Sequence, residues 1–289
     1  MVYNIPRLQE VPPLATAIAD KFAALPPVVA VALAGSRSTG LSNEGSDYDF
    51  YIYAQGDISV EIREGIAREF GDRIEINNQF WEPGDEWIDA GSGCGVDVMY
   101  RTPQWIEEQL DRVLVHHQAS VGYSTCFWWN ILTSAPLYDR EVWFKQLQEK
   151  ANQPYPESLK TAIIAKNYPI LRRNISSYTH QLESAINRND SVSLIHRTAA
   201  LLASYFDIIF AVNSVPHPGE KRLVEWVQRL CSKVPDELEE HIQGVTNSMP
   251  LSASREMKMS CPYLHYLNAL IDGLDKLLIA EGLITASQV

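Results

Sequence analysis

The stretch Val28-Val29-Ala30-Val31-Ala32-Leu33-Ala34-Gly35-Ser36-Arg37-Ser38-Thr39-Gly40, followed by Ser46-Asp47-Tyr48-Asp49-Phe50-Tyr51-Ile52-Tyr53, decides how the chain is read. Its first seven residues are apolar and either small or branched, the pattern of a short buried strand. That strand delivers the chain into a Gly-Ser turn whose small residues let backbone N–H groups close on an anion. Ser36 can add a hydroxyl there and Arg37 a positive charge. In the second segment the strand period of two puts Asp47 and Asp49 on one face and Tyr48, Phe50 and Ile52 on the other. Neighbouring carboxylates repel each other, and a hard divalent cation relieves the repulsion. Mg²⁺ characteristically takes one or two protein carboxylates together with phosphate oxygens and water. The combination predicts phosphoryl or nucleotidyl chemistry, with Asp47 and Asp49 on the metal and Gly35, Ser36, Arg37 and Ser46 by the phosphates.

A third acid stands in Gly95-Val96-Asp97-Val98-Met99-Tyr100, another apolar strand pattern, preceded by the flexible Gly91-Ser92-Gly93-Cys94. A carboxylate in such a strand is costly to desolvate unless it meets a cation, accepts hydrogen bonds or lies at an open strand end. Beside the Asp47/Asp49 strand, Asp97 would complete a metal-binding triad or serve as the base that takes the acceptor's proton. A Gly-Ser turn alone is usually only a turn, and an Asp-x-Asp pair alone is commonly a solvated strand face. The weight lies in their order: strand, Gly-Ser, loop, Asp-x-Asp strand, later acidic strand.

These residues resemble the DNA polymerase β-like nucleotidyltransferase superfamily, on Leu33-Ala34-Gly35-Ser36, Asp47-Tyr48-Asp49 and Asp97. The whole chain also resembles the bacterial proteins grouped as DUF4037, on Asp97-Val98-Met99-Tyr100-Arg101 and Pro216-His217-Pro218-Gly219-Glu220-Lys221-Arg222. In layout it is similar to aminoglycoside and lincosamide nucleotidyltransferases. The resemblance implies an α/β N-terminal nucleotidyltransferase domain, a mixed sheet with flanking helices, followed by an all-α helical-bundle domain that contributes to the cleft. It further implies Mg²⁺-dependent transfer of a nucleoside monophosphate to a hydroxyl of a small molecule, with AMP from ATP ahead of other NTPs and with release of pyrophosphate. Asp47, Asp49 and Asp97 are then the catalytic and metal-binding acids. The alternatives are a protein adenylyltransferase and a nucleotide-binding regulator without turnover.

Composition narrows the acceptor. The 289 residues carry 24 Lys+Arg against 36 Asp+Glu, a net charge of −12 and a pI near 5.0, so the basic footprint of a polynucleotide-binding protein is missing. The expected partner is a small, amine-bearing polyol rather than nucleic acid. Glu82, Asp85, Glu86 and Asp89, read as a loop between Trp81 and Trp87 and beyond, are candidates to grip it, against the blander reading of a solvated loop with anchoring tryptophans. No apolar run approaches a membrane span and no signal-type segment opens the chain, which makes a cytoplasmic location the default expectation. Cys94, Cys126, Cys231 and Cys261 are scattered without CxxC spacing and read as reduced, buried thiols.

Periodicity divides the chain at about residue 152 into a catalytic domain, 1–152, and a helical domain, 153–289. In the first, Pro12-Pro13 opens a helix through Leu14, Ile18 and Phe22, and Ser59 caps another that runs to Phe70. Ile74-Glu75-Ile76 forms a strand, and Thr102-Pro103 starts a helix carrying Trp105, Ile106 and Leu110. Leu137-Tyr138-Asp139-Arg140 is an edge strand or a connector. In the second, helices are predicted over 160–187, 191–212, 220–232, 236–247 and 254–281. Val215 to Gly219 forms a rigid approach to the third of these and presents Lys221 and Arg222 to a triphosphate, or, in the plainer reading, to solvent. The histidines at 116, 117, 180, 196 and 265 lack metal-ligand spacing and are expected to be structural. Trp128-Trp129 and Tyr205-Phe206 are expected in interdomain or core packing, with nucleobase stacking as the lesser alternative.

Overall fold

A computed structural model describes residues 3, 8, 10–40, 42–80, 82–250 and 261–288. The N-terminal half is a mixed six-stranded sheet with flanking helices, and the C-terminal region is helical. Two compact units divide the chain, 1–112 with 127–153, and 113–126 with 154–289.

In the first unit, α1 (Pro13–Ala23) begins behind Pro12 and leads into β1 (Val28–Leu33), all six residues of which are buried. The four-residue helix α2 (Gly35–Ser38) separates β1 from β2 (Tyr48–Ala54). Next, α3 (Val60–Phe70) starts at Ser59, whose side chain accepts from the Ile62 N–H and satisfies one of the helix's orphan donors. It is followed by β3 (Ile74–Asn78), β4 (Gly84–Ile88), β5 (Gly95–Arg101) and α4 (Pro103–Leu114). After α5 (Cys126–Thr133), residues Ala135–Asp139 form β6, the edge strand that the sequence left open between strand and connector, and α6 (Trp143–Ala151) ends the unit's last segment.

The strand order is β3-β4-β5-β2-β1-β6. Only β2 and β5 run parallel; every other neighbouring pair is antiparallel. One face of the sheet, with Val31, Leu33, Phe50, Ile52, Val96 and Val98, packs with Ile18 and Phe22 of α1 and Ile66 of α3 to form the core. This alternation leaves Asp49 and Asp97 on the other face. At the β1 side that second face is covered too: Tyr53 meets Trp143 and Phe144, and Asn130 donates to the Tyr51 hydroxyl.

The helical unit is organised on α9 (Ser191–Val212), a long apolar helix capped by the Asp190 side chain. By length and composition α9 could cross a membrane, which corrects the expectation that no apolar run approaches a span; it is, however, mostly buried in the unit. Packed against it are α7 (Glu157–Arg172), α8 (Tyr178–Arg188) and α10 (Leu223–Leu230), while α11 (Leu238–Asn247) pairs with α12 (Pro262–Ala280). The single helix expected over 160–187 is two. Ser177 accepts from the His180 N–H and starts a new helix after the turn at Asn174. The expected helix over 220–232 begins only at Leu223, because Arg222 takes a left-handed conformation with φ 56°. Residues 254–260 of the last expected helix lie outside the described residues.

Candidate active site

The Gly-Ser segment is built around a carboxylate. The Ala34 N–H donates to the Asp49 carbonyl at 2.8 Å, so the end of β1 is locked to the start of β2. Gly35 follows with φ +65°, and a Cβ there would lie 1.8 Å from Asp49 Oδ2. Glycine is required twice over, by the left-handed backbone and by the aspartate against it. The Ser38 hydroxyl then donates to the Gly35 carbonyl at 2.9 Å and stabilises the one-turn helix that carries Ser36.

Arg37 faces the protein. Its guanidinium donates to the Ser46 and Asp47 carbonyls and lies 3.7 Å from the centre of the Tyr48 ring. The Ser46 hydroxyl in turn donates to Asn43 Oδ1 and accepts from the Asn43 N–H, closing the loop before β2. Two residues expected at the phosphates, Arg37 and Ser46, are thus brought together, in contacts that hold Asp47 and Asp49 in place.

The acids occupy neighbouring strands. Asp49 and Asp97 are register partners across the parallel β2–β5 pair, so their side chains leave the same face side by side. Asp47 lies one pleat earlier; its Oδ1 accepts from the Gly95 N–H at 3.2 Å, and a Cβ on Gly95 would come within 2.5 Å of that oxygen. Each aspartate of the Asp-x-Asp pair is therefore seated against a glycine of the neighbouring strand end. Across the antiparallel β4–β5 pair, Glu86 is the register partner of Asp97 and accepts from Asn78 Nδ2 at 3.1 Å. Asp49, Asp97, Glu82, Glu86, Asn78 and Gly84 surround a concavity of about 150 Å³.

The oxygen donors suit Mg²⁺, which needs only one or two protein carboxylates beside phosphate and water. Among the described residues, no group of three or more His, Cys, Asp or Glu side chains is arranged to hold a metal ion by itself. The strand-borne pair of Asp49 and Asp97, with Asp47 beside them, fits a cation that arrives with a phosphate ligand better than one held in an all-protein cage.

Asp85 and Glu86 of the acidic segment after Trp81 lie in β4 and not in a loop, whereas Glu82 and Asp89 flank the strand, and the four acids have separate fates. Trp81 itself lies outside the described residues. Asp85 points into the core face, 1% exposed, where it accepts from Tyr100 Oη at 2.6 Å and the Asn77 N–H at 2.7 Å and pairs with Arg63 at 3.4 Å. Burial and this carboxylate together push the Tyr100 phenol well above its ordinary range. Asp89 accepts from both the N–H and the hydroxyl of Ser92. Both carboxylates are engaged within the protein, although Asp85 borders the concavity from the core side. Glu82 and Glu86 remain on the concavity, and Glu82 makes a bidentate pair with Arg101, 2.7 Å from Nε and 2.8 Å from Nη2.

Arg101 entered the sequence reading only as the end of the resembling segment from Asp97, with no role at the site. It closes β5 on the face that carries Asp97, and its guanidinium lies 3.8 Å from the centre of the Tyr51 ring, with Trp105 and Phe127 at 5.3 and 5.4 Å. Desolvation works against its charge, but the Glu82 hydrogen bonds and the surrounding groups hold its pKa above the ordinary arginine value. Tyr51 is raised mainly by burial, with Arg101 opposing. The signal available in sequence was an arginine on the same strand face as Asp97, four residues on.

In the helical unit, Lys221 is exposed, and Arg222 pairs loosely with Glu225 at 3.9 Å. The buried polar member of that segment is His217. Its N–H donates to Thr125 Oγ1 at 2.7 Å, its Nδ1 accepts from the Gly219 N–H at 3.1 Å, and its ring lies between Tyr123 and Phe210. Burial pushes its pKa down to about 3. Nearby in the chain fold, Asp207 accepts from the Ser124 N–H and hydroxyl, and burial pushes it up to about 7 against those two donors.

No protein-family model matches the chain, and no curated protein matches it significantly. Among solved structures, it is similar to a nucleotidyltransferase-like protein from Exiguobacterium sibiricum, with 10% identity and a TM-score of 0.41 over 93% of this chain and 75% of that one. A likeness of that size does not bear on the chemistry of the site.

Proposed function

We propose that the protein is a nucleotidyltransferase that moves a nucleoside monophosphate, AMP from ATP, onto a hydroxyl of a small, amine-bearing polyol. The observation that carries this reading is the register pairing of Asp49 with Asp97 on adjacent parallel strands, with Asp47 beside them and Gly35 against Asp49. Asp49, with Asp47 or Asp97, would hold Mg²⁺, which when bound supplies the positive charge that makes the triphosphate reactive. The Gly35-Ser36 backbone offers N–H groups to the phosphates. The acceptor oxygen forms a bond to the α-phosphorus as the bond to the β-phosphate oxygen breaks, pyrophosphate leaves, and the acceptor's proton passes to a carboxylate of the site. Asp97, the acid farther from the Gly-Ser turn in the sheet order, is the proposed proton acceptor. The narrower kinship with DUF4037 rests on the segments ending at Arg101 and Arg222 alone.

The test is to incubate the purified protein with Mg²⁺ and each α-labelled NTP, together with a panel of aminated polyols and a cell extract. Label in a small molecule with equimolar pyrophosphate is expected, and ATP should be the best donor. Label that ends in protein or RNA, or no pyrophosphate with any NTP, would overturn the reading.

A further inference from the structure

The sheet order sets two functions on opposite sides of the acid pair. The Gly35–Ser38 turn follows β1, which lies beyond β2, whereas Asn78, Glu82, Gly84 and Glu86 lie beyond β5 around the concavity. In-line displacement brings the attacking oxygen in opposite the leaving group. If the phosphates sit on the β1 side, the acceptor enters on the β4 side.

Glu82 is the residue on that side whose placement most needs explaining. The Arg101 side chain that holds it is 3% exposed, and Arg101 Nη1 is buried with no hydrogen-bond partner. Breaking such a pair is damaging, yet apolar side chains of similar volume commonly stabilise a core as well or better. Stability is therefore a poor reason for the pair to be there. Its two ends differ: the guanidinium is enclosed by Tyr51, Trp105 and Phe127, while the Glu82 side chain is 30% exposed at the concavity. The bidentate contact uses part of the acceptor capacity of each carboxylate oxygen and leaves the rest open. With its charge already compensated by Arg101, this carboxylate suits neutral hydroxyl donors better than a free cation.

We propose that the concavity is the acceptor subsite and that Glu82, fixed there by Arg101, receives neighbouring hydroxyls of the polyol acceptor. The proposal rests on the nucleotidyl-transfer reading and deepens it: Glu82 touches the acceptor, and Arg101 is a positioning residue that acts through Glu82.

The experiment uses the full chain with Mg²⁺, α-labelled ATP and a defined panel of myo-inositol, glucose, glucosamine and 2-deoxyglucose, with Mg–ATP affinity measured separately by calorimetry. Wild type is expected to label at least one member with adjacent hydroxyls. Glu82→Gln should raise the KM for that member about tenfold or more, since the site loses its paired acceptors, while Mg–ATP affinity stays within about twofold. The rise should be the same at about 0.05 M and 0.5 M salt, because Glu82, compensated by Arg101, reads the acceptor's hydroxyls and not its amine. Arg101→Lys should reproduce it, as lysine keeps the charge and lacks the fork. Glu82→Asp, which keeps the charge and withdraws the carboxylate, serves where thermal unfolding shows that Glu82→Gln is poorly folded, and the same KM rise is expected. An unchanged KM in a folded Glu82 variant, or an equal loss of Mg–ATP affinity, overturns the subsite. Unchanged KM in Arg101→Lys overturns the positioning role. Wild type that binds Mg–ATP but labels no panel member overturns the polyol assignment. Wild type that does not bind Mg–ATP overturns the transfer reading beneath it.

Discussion

Asp85 and Asp97 stand on adjacent strands of one sheet and face opposite ways. Asp85 is enclosed on the core face by Arg63, Tyr100 and the Asn77 N–H, whereas Asp97 lies half-buried at a concavity beside Asp49 and Glu86. The first arrangement satisfies a carboxylate completely and leaves it nothing to do. The second gathers Asp49, Asp97 and Glu86 around one concavity, where neighbouring carboxylates disfavour each other's charged form. The direction a side chain leaves the sheet, and not its identity, separates a structural acid from a candidate catalytic one.

The contrast can be broken most sharply by exchanging each acid for its amide. Asp49→Asn should lower nucleotidyl transfer by about a thousandfold or more, a loss of several kcal/mol of transition-state stabilisation, with the melting temperature near wild type. Asp85→Asn should do the reverse, lowering unfolding free energy by about 3–5 kcal/mol because Arg63 loses its ion-pair partner, while activity per folded molecule is retained. Denaturant melts and labelled-ATP turnover on both variants decide it; a destabilised Asp49→Asn of normal turnover would invert the assignment.

Asp207, a buried acid of the helical unit, sharpens the comparison through pH. Its carboxyl is raised from 3.8 to about 7, so between those values the unfolded chain has released a proton that the folded chain keeps. Its contribution is fully present below the unfolded pKa, falls as pH rises, and levels off above the folded one. Asp207→Asn should therefore gain on wild type by up to about 4 kcal/mol as the pH is raised across that window. Burial of His217 works with the opposite sign: its pKa is lowered from 6.5 to about 3, and its contribution is lost as pH falls through that range. Denaturant unfolding of wild type and Asp207→Asn at several pH values gives the difference directly, and a pH-independent difference would mean that Asp207 is ionised in the fold throughout.

The smallest effect expected is at the α3 N-terminus. Ser59→Ala removes one acceptor for the Ile62 N–H and should cost about 1 kcal/mol of stability with no change in transfer, as measured by melting and turnover together.

Much of this was legible in the chain. A β-branched run gave β1, acids alternating with apolar residues gave β2 and β5, parity put Asp49 and Asp97 on faces that pairing could join, and Ser59 announced α3. The bounds of α9 were readable because its apolar run is long and Asp190 caps it. β4 was missed because Asp85 and Glu86 give it a polar, turn-like composition; its strand geometry comes from pairing with β5, which no local pattern expresses. The expected 160–187 helix broke where Ser177 preferred to cap. The pairs that define the site's surroundings, Arg101 with Glu82 and Arg63 with Asp85, join residues 19 and 22 positions apart and emerge only once the strands are laid side by side.

The excursion of residues 113–126 has a practical side. The chain passes between its two compact units at residues 112, 126 and 153, so no single cut separates them. A fragment beginning at residue 154 would keep Asp207 and lose Ser124, both of whose donors hold that carboxylate, and it would also lose Thr125, which receives the His217 N–H. The complementary piece would carry a fourteen-residue strand of chain whose partners are gone. Any exchange of the helical half for another would have to carry that inserted segment along with it.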